Sequence, residues 1–209
     1  MGLYADHIFP RFMDLTLSSG PHRRFRLDAL AEARGLVLEI GFGTALNLPY
    51  YPPEVTRVVA LDDSPMLADR VRRRIAVASV PVEVIHRDAA DRMPFEDATF
   101  DTVVSTWTLC SIERLQSALA EVVRILKPEG RFLFIEHGLS DRPVTAKLQH
   151  LLNPMQNVVS CGCNLNRKID DELAEAGLTI LSLERFRVPG VPRAFGEVYR
   201  GVASIPTRS

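Results

Sequence analysis

Long apolar runs are missing from this 209-residue sequence. No stretch approaches the roughly 20 apolar residues that span a bilayer. The opening MGLYADHIFPRF has neither the charged start nor the apolar run of a signal peptide. Asp6 stands where a myristoylation signal would place Ser or Thr. Cysteine is scarce: three residues, an odd count that argues against a closed disulfide framework and for a reducing compartment. An excess of one charge is also lacking. The 25 basic and 26 acidic residues leave a net charge of −1, which removes the electrostatic reason for a nucleic-acid surface. The expectation is a cytoplasmic protein with no membrane anchor and no nucleic-acid partner. The basic run Arg70–Arg74 (RVRRR) reads as the solvated face of a helix.

There is no repeat, no low-complexity tract and no Pro/Gly/Ser-rich linker, so residues 1–209 read as one domain. Strand-like apolar runs alternate with helical patterns. Leu36–Ile40 leads to a short helical segment, and Val58–Leu61 precedes Ser64-Pro65, a cap and first-turn pair opening a helix to about Ala78. Val82–Ile85 and Thr102–Ser105 are further strands. Leu115, Leu119, Val122, Val123 and Leu126 then recur at helical spacing until Lys127-Pro128 stops them, and Phe132–Ile135 is a fifth strand. Alternating β and α segments predict a doubly wound parallel sheet with helices on both faces. The tail breaks the pattern. Leu178–Val188 and Phe195–Ala203 are separated only by Pro189–Ala194, too short for a parallel crossover, so this pair must be an antiparallel hairpin. Residues 1–34 read as an N-terminal helical lid, and 139–177 as a helical insertion on the substrate side.

The motif VLEIGFGT places Gly41 and Gly43 at the end of the first strand, where ligands bind in such sheets. Leu46 occupies the place of the third glycine of a dinucleotide fingerprint, and no Walker lysine follows. Glu39, two residues before Gly41, would repel a diphosphate and welcome an ammonium group. Asp62 ends the second strand 21 positions after Gly41, the usual distance for an acid on ribose hydroxyls. Asp88 follows the third strand, where it would accept an adenine amino group. Together these describe a cationic nucleoside without phosphate. A nicotinamide oxidoreductase is disfavoured by Leu46 and by the lack of a Tyr-x-x-x-Lys pair.

VLEIGFGT, ALDDSP, RDAADRMPFEDATFDTVV and EVVRILKPEGRFLFIEHG, in this order over residues 36–138, resemble class I S-adenosylmethionine (SAM)-dependent methyltransferases of the ubiquinone-biosynthesis type. The resemblance implies a Rossmann-like sheet of five parallel strands closed by an antiparallel hairpin, with SAM as cofactor and S-adenosylhomocysteine as its product. It implies that Glu39, Gly41, Gly43 and Thr44 surround the amino-acid portion of SAM and that Asp62 binds the ribose. Asp63 and Met66 would line the adenosine, Asp88 and Ala89 would contact adenine, and Ser105 and Thr106 would lie beside the methionine portion. Ala45 replaces the family's usual third glycine, and a φ below zero there would make the change cheap. LNLPYYPP, TWTLCSIERL and GCNLNR resemble more closely the thiol S-methyltransferase-like family, whose animal members are membrane-anchored. Two departures are the absence of their apolar N-terminal anchor, which implies a soluble relative, and Cys161 in place of their usual acid.

The implied acceptor is a small molecule, a thiol by the closer resemblance; quinols, phenols and phospholipid amines are alternatives, and a non-catalytic SAM-binding module is the alternative of another class. A thiol with a pKa near 8.5 needs no strong base. An oxygen or carbon acceptor would need one, and His137, at the end of the fifth strand beside Glu136, is the candidate catalytic residue. Tyr4, Trp107, Cys110 and Cys163 are expected to line the substrate pocket. The pair Cys161 and Cys163 is half of a tetrahedral zinc set, and without a second close pair no metal is expected.

Overall fold

A computed structural model describes residues 4, 8–18, 20–63 and 68–206. Two helices, α1 (Phe9–Leu17) and α2 (Pro21–Leu30), precede β1 (Gly35–Ile40), β2 (Val55–Asp62) and α3 (Ala68–Ala76). Next come β3 (Val82–His86), β4 (Phe100–Thr106), α4 (Leu115–Ile125) and β5 (Leu126–His137). The chain ends with α5 (Pro143–Val159), α6 (Ile169–Glu175), β6 (Thr179–Arg187) and β7 (Glu197–Ser204). The seven strands form one sheet in the order β3-β2-β1-β4-β5-β7-β6. The first five run parallel, while β7 pairs antiparallel with both β5 and β6. The predicted doubly wound sheet closed by a hairpin is therefore the observed one. The expected helix opening at Ser64-Pro65 begins outside the described residues; its described part is α3. After β1 the short helical segment is a single 3-10 turn, Leu48–Tyr50.

Strands buried on both faces explain the uninterrupted apolar runs. Alternate side chains enter separate cores: Leu38, Ile40, Phe132 and Phe134 pack on one face with Leu119 and Val122 of α4. Val37 and Leu133 point the other way, to Leu30 of α2, Val58 and Val104. Helix α4 buries Leu115, Ala118, Leu119, Val122 and Ile125, one stripe at helical spacing. No described helix is long and apolar enough to cross a membrane. The outer face of α5 nevertheless exposes Val144, Leu151, Met155 and Val158.

Arg70 and Arg74 differ from the solvated reading of RVRRR. Both reach Asp14 of α1, which is 4% exposed; Arg74 Nη1 donates to Asp14 Oδ1 at 2.5 Å and to the Thr44 carbonyl at 2.5 Å. Thr44 Oγ1 donates to Asp14 Oδ1 at 2.6 Å, so α1 is fastened to the loop after β1. The acid that attracts these arginines lies 56 and 60 positions away, beyond any local pattern. Its carboxyl is held below the ordinary range, burial being outweighed by the arginine and threonine donors. Asp14→Ala should cost about 1–2 kcal/mol in urea unfolding near neutral pH, less than a fully buried pair because both arginines are partly solvated. The difference should vanish as pH falls through the carboxylate range, and a difference that persists in acid would refute the ion-pair account.

Candidate active site

Beyond Ile40 the chain turns through Gly41 and Gly43, at φ +70° and +55°. A Cβ on Gly41 would lie 2.1 Å from Thr108 Oγ1, so packing and dihedral both demand glycine. A Cβ on Gly43 would meet nothing nearer than 3.9 Å, which leaves that face open to a ligand. Asp62, at the end of β2, accepts the Gly43 N–H at 2.7 Å. The acid expected on the ribose therefore also holds the glycine turn.

Ala45 departs from expectation. It stands at φ +64°, not below zero, and is fully buried. For a residue with a Cβ this region costs roughly 1–2 kcal/mol, partly offset by its buried methyl. Trp107, directly after β4, is also left-handed at φ +53°, a strained conformation for a bulky side chain that the surrounding structure must hold in place.

Glu39 alternates with Leu38 and Ile40 on β1 and so faces α2. It is 1% exposed, with Oε1 accepting from Asn47 Nδ2 at 2.8 Å and Oε2 from the Tyr51 hydroxyl at 2.6 Å. The carboxylate expected beside an ammonium group thus has both oxygens occupied by protein donors. Burial pushes it up to about 7, against the pull of Tyr51, Arg26 and Asn47. Asn47 also donates to Thr106 Oγ1 at 3.1 Å and accepts from Arg26 Nη1 at 2.7 Å. Arg26 lies 4.8 Å from the centre of the Trp107 ring, and burial lowers its pKa to about 10, so it stays charged. Its Nε is a buried donor with no acceptor among the described residues. Sequence reasoning missed Arg26, Asn47 and Tyr51. The last two lie in LNLPYYPP, which offered a faint signal; nothing marked Arg26 in HRRFR.

Ser105 and Thr106 end β4 side by side but serve different networks, because adjacent strand residues face opposite sides. Ser105 donates to Glu136 Oε1 at 2.7 Å, and that oxygen also accepts the Thr108 N–H at 3.0 Å. Burial raises the Glu136 carboxyl, and these donors restrain the rise. Asp88 accepts the Ala90 N–H at 2.8 Å and a 2.9 Å bond from Arg114, with Ala89 buried beside it. Asp63 is exposed at the end of the β2 turn. Met66 lies outside the described residues. Tyr4 donates its hydroxyl to the Val159 carbonyl at 2.7 Å, on the far end of α5.

On the β5 side, Cys110, His137 and Cys163 converge. Cys163 Sγ is 3.4 Å from Cys110 Sγ and 3.6 Å from His137 Nδ1. Cys161 is exposed and stands outside this group.

The model of a methyltransferase domain matches residues 38–134. The human thiol S-methyltransferase TMT1A is 32% identical over 73% of this chain and 64% of its own length, so the chain spans less than two thirds of that relative. The human thiol S-methyltransferase TMT1B is 30% identical over 77% of this chain and 67% of its own. A solved structure from Bacillus halodurans superposes with a TM-score of 0.72 at 19% identity, covering 90% of this chain and all of that one. With a glycine turn, acids at three strand ends and the antiparallel closing hairpin, the chain belongs to the class I SAM-dependent methyltransferases.

Proposed function

We propose that this chain transfers the methyl group of SAM to the sulfur of a small thiol. The observation that carries the thiol reading is the acceptor side of the crevice. Two buried thiols and one imidazole would face the acceptor there, whereas the strand-end carboxylates of the two faces, Glu39 and Glu136, are each sequestered by protein donors. A thiol tolerates that arrangement, since part of it is already ionised at neutral pH. A phenol or a carbon acid would need a free base, and the candidate base, His137, has its Nδ1 turned to Cys163 Sγ at 3.6 Å.

The residues fit the cofactor: an open face at Gly43, acids at the ends of β1, β2 and β3, and an orphaned buried donor on Arg26. Bound SAM supplies a methyl group activated by a sulfonium. Asp62 would hold the ribose hydroxyls, with Asp63 and Met66 along the adenosine and Asp88 and Ala89 at adenine. Gly41, Gly43, Thr44, Ser105 and Thr106 would surround the amino-acid portion, with Arg26 Nε toward its carboxylate. Glu39 acts through Asn47 and Tyr51, fixing Thr106 and Arg26. Tyr4, Trp107, Cys110 and Cys163 would wall the acceptor, and α1 and α2 would cover the crevice and exclude water.

The test is the methylated product formed with SAM from a panel of an alkyl thiol, a phenol, a quinol and phosphatidylethanolamine vesicles, resolved by mass. The thiol should yield a thioether and an equal amount of S-adenosylhomocysteine. Product from the oxygen, carbon or amine acceptors alone would overturn the thiol assignment. Binding of SAM with no product from any acceptor would favour a non-catalytic module.

A further inference from the structure

We propose that Cys110, Cys163 and His137 bind a zinc ion and leave one coordination position open for the sulfur of the acceptor. The zinc site stands on the geometry of this side-chain cluster alone; only the occupant of the open position rests on the thiol reading above. The three potential ligand atoms lie within 4.8 Å of one another. With Zn–S of about 2.3 Å and Zn–N of about 2.0–2.1 Å, tetrahedral coordination places two sulfurs about 3.8 Å apart and a sulfur and nitrogen about 3.5 Å apart. The observed separations, 3.4 Å between the sulfurs and 3.6 Å from Cys163 Sγ to His137 Nδ1, match those edges within a few tenths of an ångström. A disulfide would require the sulfurs to close to about 2.05 Å and would leave the imidazole without a role.

The cluster is also held in place before any ion arrives. Cys110 and Cys163 are 1% and 6% exposed. The Asn164 backbone N–H and Nδ2 both donate to the Cys110 carbonyl, at 2.9 and 3.0 Å, and Arg167 donates to the Leu109 carbonyl. Asn157 Nδ2 donates to the Gly162 carbonyl at 2.9 Å, bracing the turn that carries Cys163. Glu136, next to His137, accepts the Thr108 N–H and, at 3.4 Å, the Cys110 N–H. Supporting bonds of this kind orient metal ligands. Two thiolates and a neutral imidazole also balance the charge of a divalent ion, which a buried site requires. Thiolate and imidazole donors select zinc over magnesium or calcium. Three protein ligands with a fourth position free is the catalytic arrangement of zinc rather than the closed structural one.

At that position an incoming thiol displaces water. Its S–H bond breaks, the electron pair forms the bond to zinc, and the proton leaves with solvent; no oxidation state changes. A thiol so bound is deprotonated at neutral pH, which would supply the thiolate without a side-chain base.

The experiment uses the full chain, kept reduced and stripped with a chelator, then titrated with zinc against a chromophoric competitor. One zinc per chain is expected. Cys161→Ser should keep the wild-type affinity. Cys110→Ser and Cys163→Ser, which remove ligands, should each weaken it by more than the roughly 10- to 100-fold that loss of a supporting partner costs, with metal-free melting temperatures near that of the metal-free wild type. Cobalt in the same site should show thiolate-to-metal and tetrahedral absorption bands that shift when 2-mercaptoethanol is added. Absence of zinc uptake by reduced wild type, or undiminished affinity in Cys110→Ser, overturns the site. A cobalt spectrum indifferent to the thiol overturns the open position. Methylation of a phenol alone would sink the thiol assignment while leaving zinc stoichiometry untouched, so the two failures are distinguishable.

Discussion

Glu39→Gln should abolish a loss of folding stability of about 3 kcal/mol that the wild type suffers between about pH 5 and pH 8. The cause is burial of a carboxylate on the inner strand β1, which raises its pKa from 4.5 to about 7 despite bonds from Tyr51 and Asn47 and the nearby charge of Arg26. Below the unfolded value the group is protonated in both states and contributes nothing. Between the two values the folded protein holds the proton more tightly than the unfolded chain. Stability therefore falls as pH rises through this window and levels off above it. Glutamine keeps the length and planarity of the side chain and never ionises. The variant never gains the attraction to Arg26 that the ionised Glu39 acquires above about pH 7, so its absolute stability is a poor guide. The informative quantity is the slope. Urea unfolding of both proteins at matched pH values isolates it, because every other titrating group contributes equally to the two curves. Parallel curves would mean that the Glu39 carboxylate is ionised throughout, with Arg26 fully compensating its burial.

Asp62→Ala should weaken SAM binding by about 10- to 100-fold, the loss of a charge-assisted hydrogen bond worth roughly 1.5–3 kcal/mol. This follows from the proposed ribose contact. The structure adds a second consequence, because Asp62 Oδ2 accepts the Gly43 N–H at 2.7 Å. Alanine frees the glycine turn as well as the ribose, so the metal-free, ligand-free protein should also lose about 1 kcal/mol of stability. Asp62→Asn separates the effects: its amide oxygen can keep the Gly43 bond while the negative charge is gone. Calorimetry with SAM and with S-adenosylhomocysteine should rank wild type above Asn and Asn above Ala. An unchanged dissociation constant in Asp62→Ala would show that the ribose lies elsewhere, and that the acid serves only the turn.

The order of elements was legible in the sequence because it depends on short-range patterns. Runs such as Val58–Leu61 and Phe132–Ile135 are apolar on both sides because a central parallel strand is covered on both faces. The connection between the last two strands, six residues by the sequence pattern and nine (188–196) in the structure, leaves no room for a crossover, so the hairpin and its antiparallel sense followed from chain length alone. Gly41 and Gly43 were legible because only glycine turns so sharply at a strand end, and both do stand at positive φ. Two neighbouring details were not. Ala45 shares the left-handed region although its residue type argues against it, and Trp107 does too; surrounding packing imposes those dihedrals, and no propensity encodes them.

The arrangement of charge and of sulfur was decided by tertiary structure. Glu39 was visible as an acid near the turn, but its burial and its bonds depend on Tyr51 and Asn47, carried back over the sheet by the loop after Gly43. Arg26 reaches Thr106 across 80 positions, and Asp14 draws Arg74 across 60. Cys163 was paired by spacing with Cys161; the fold instead sets it against Cys110, 53 residues away, and His137, 26 away. Periodicity reports which face of an element is apolar, and therefore determines the layers. Which polar side chains meet at the ends of those layers depends on loop paths and strand order, and these exist only once the sheet has assembled.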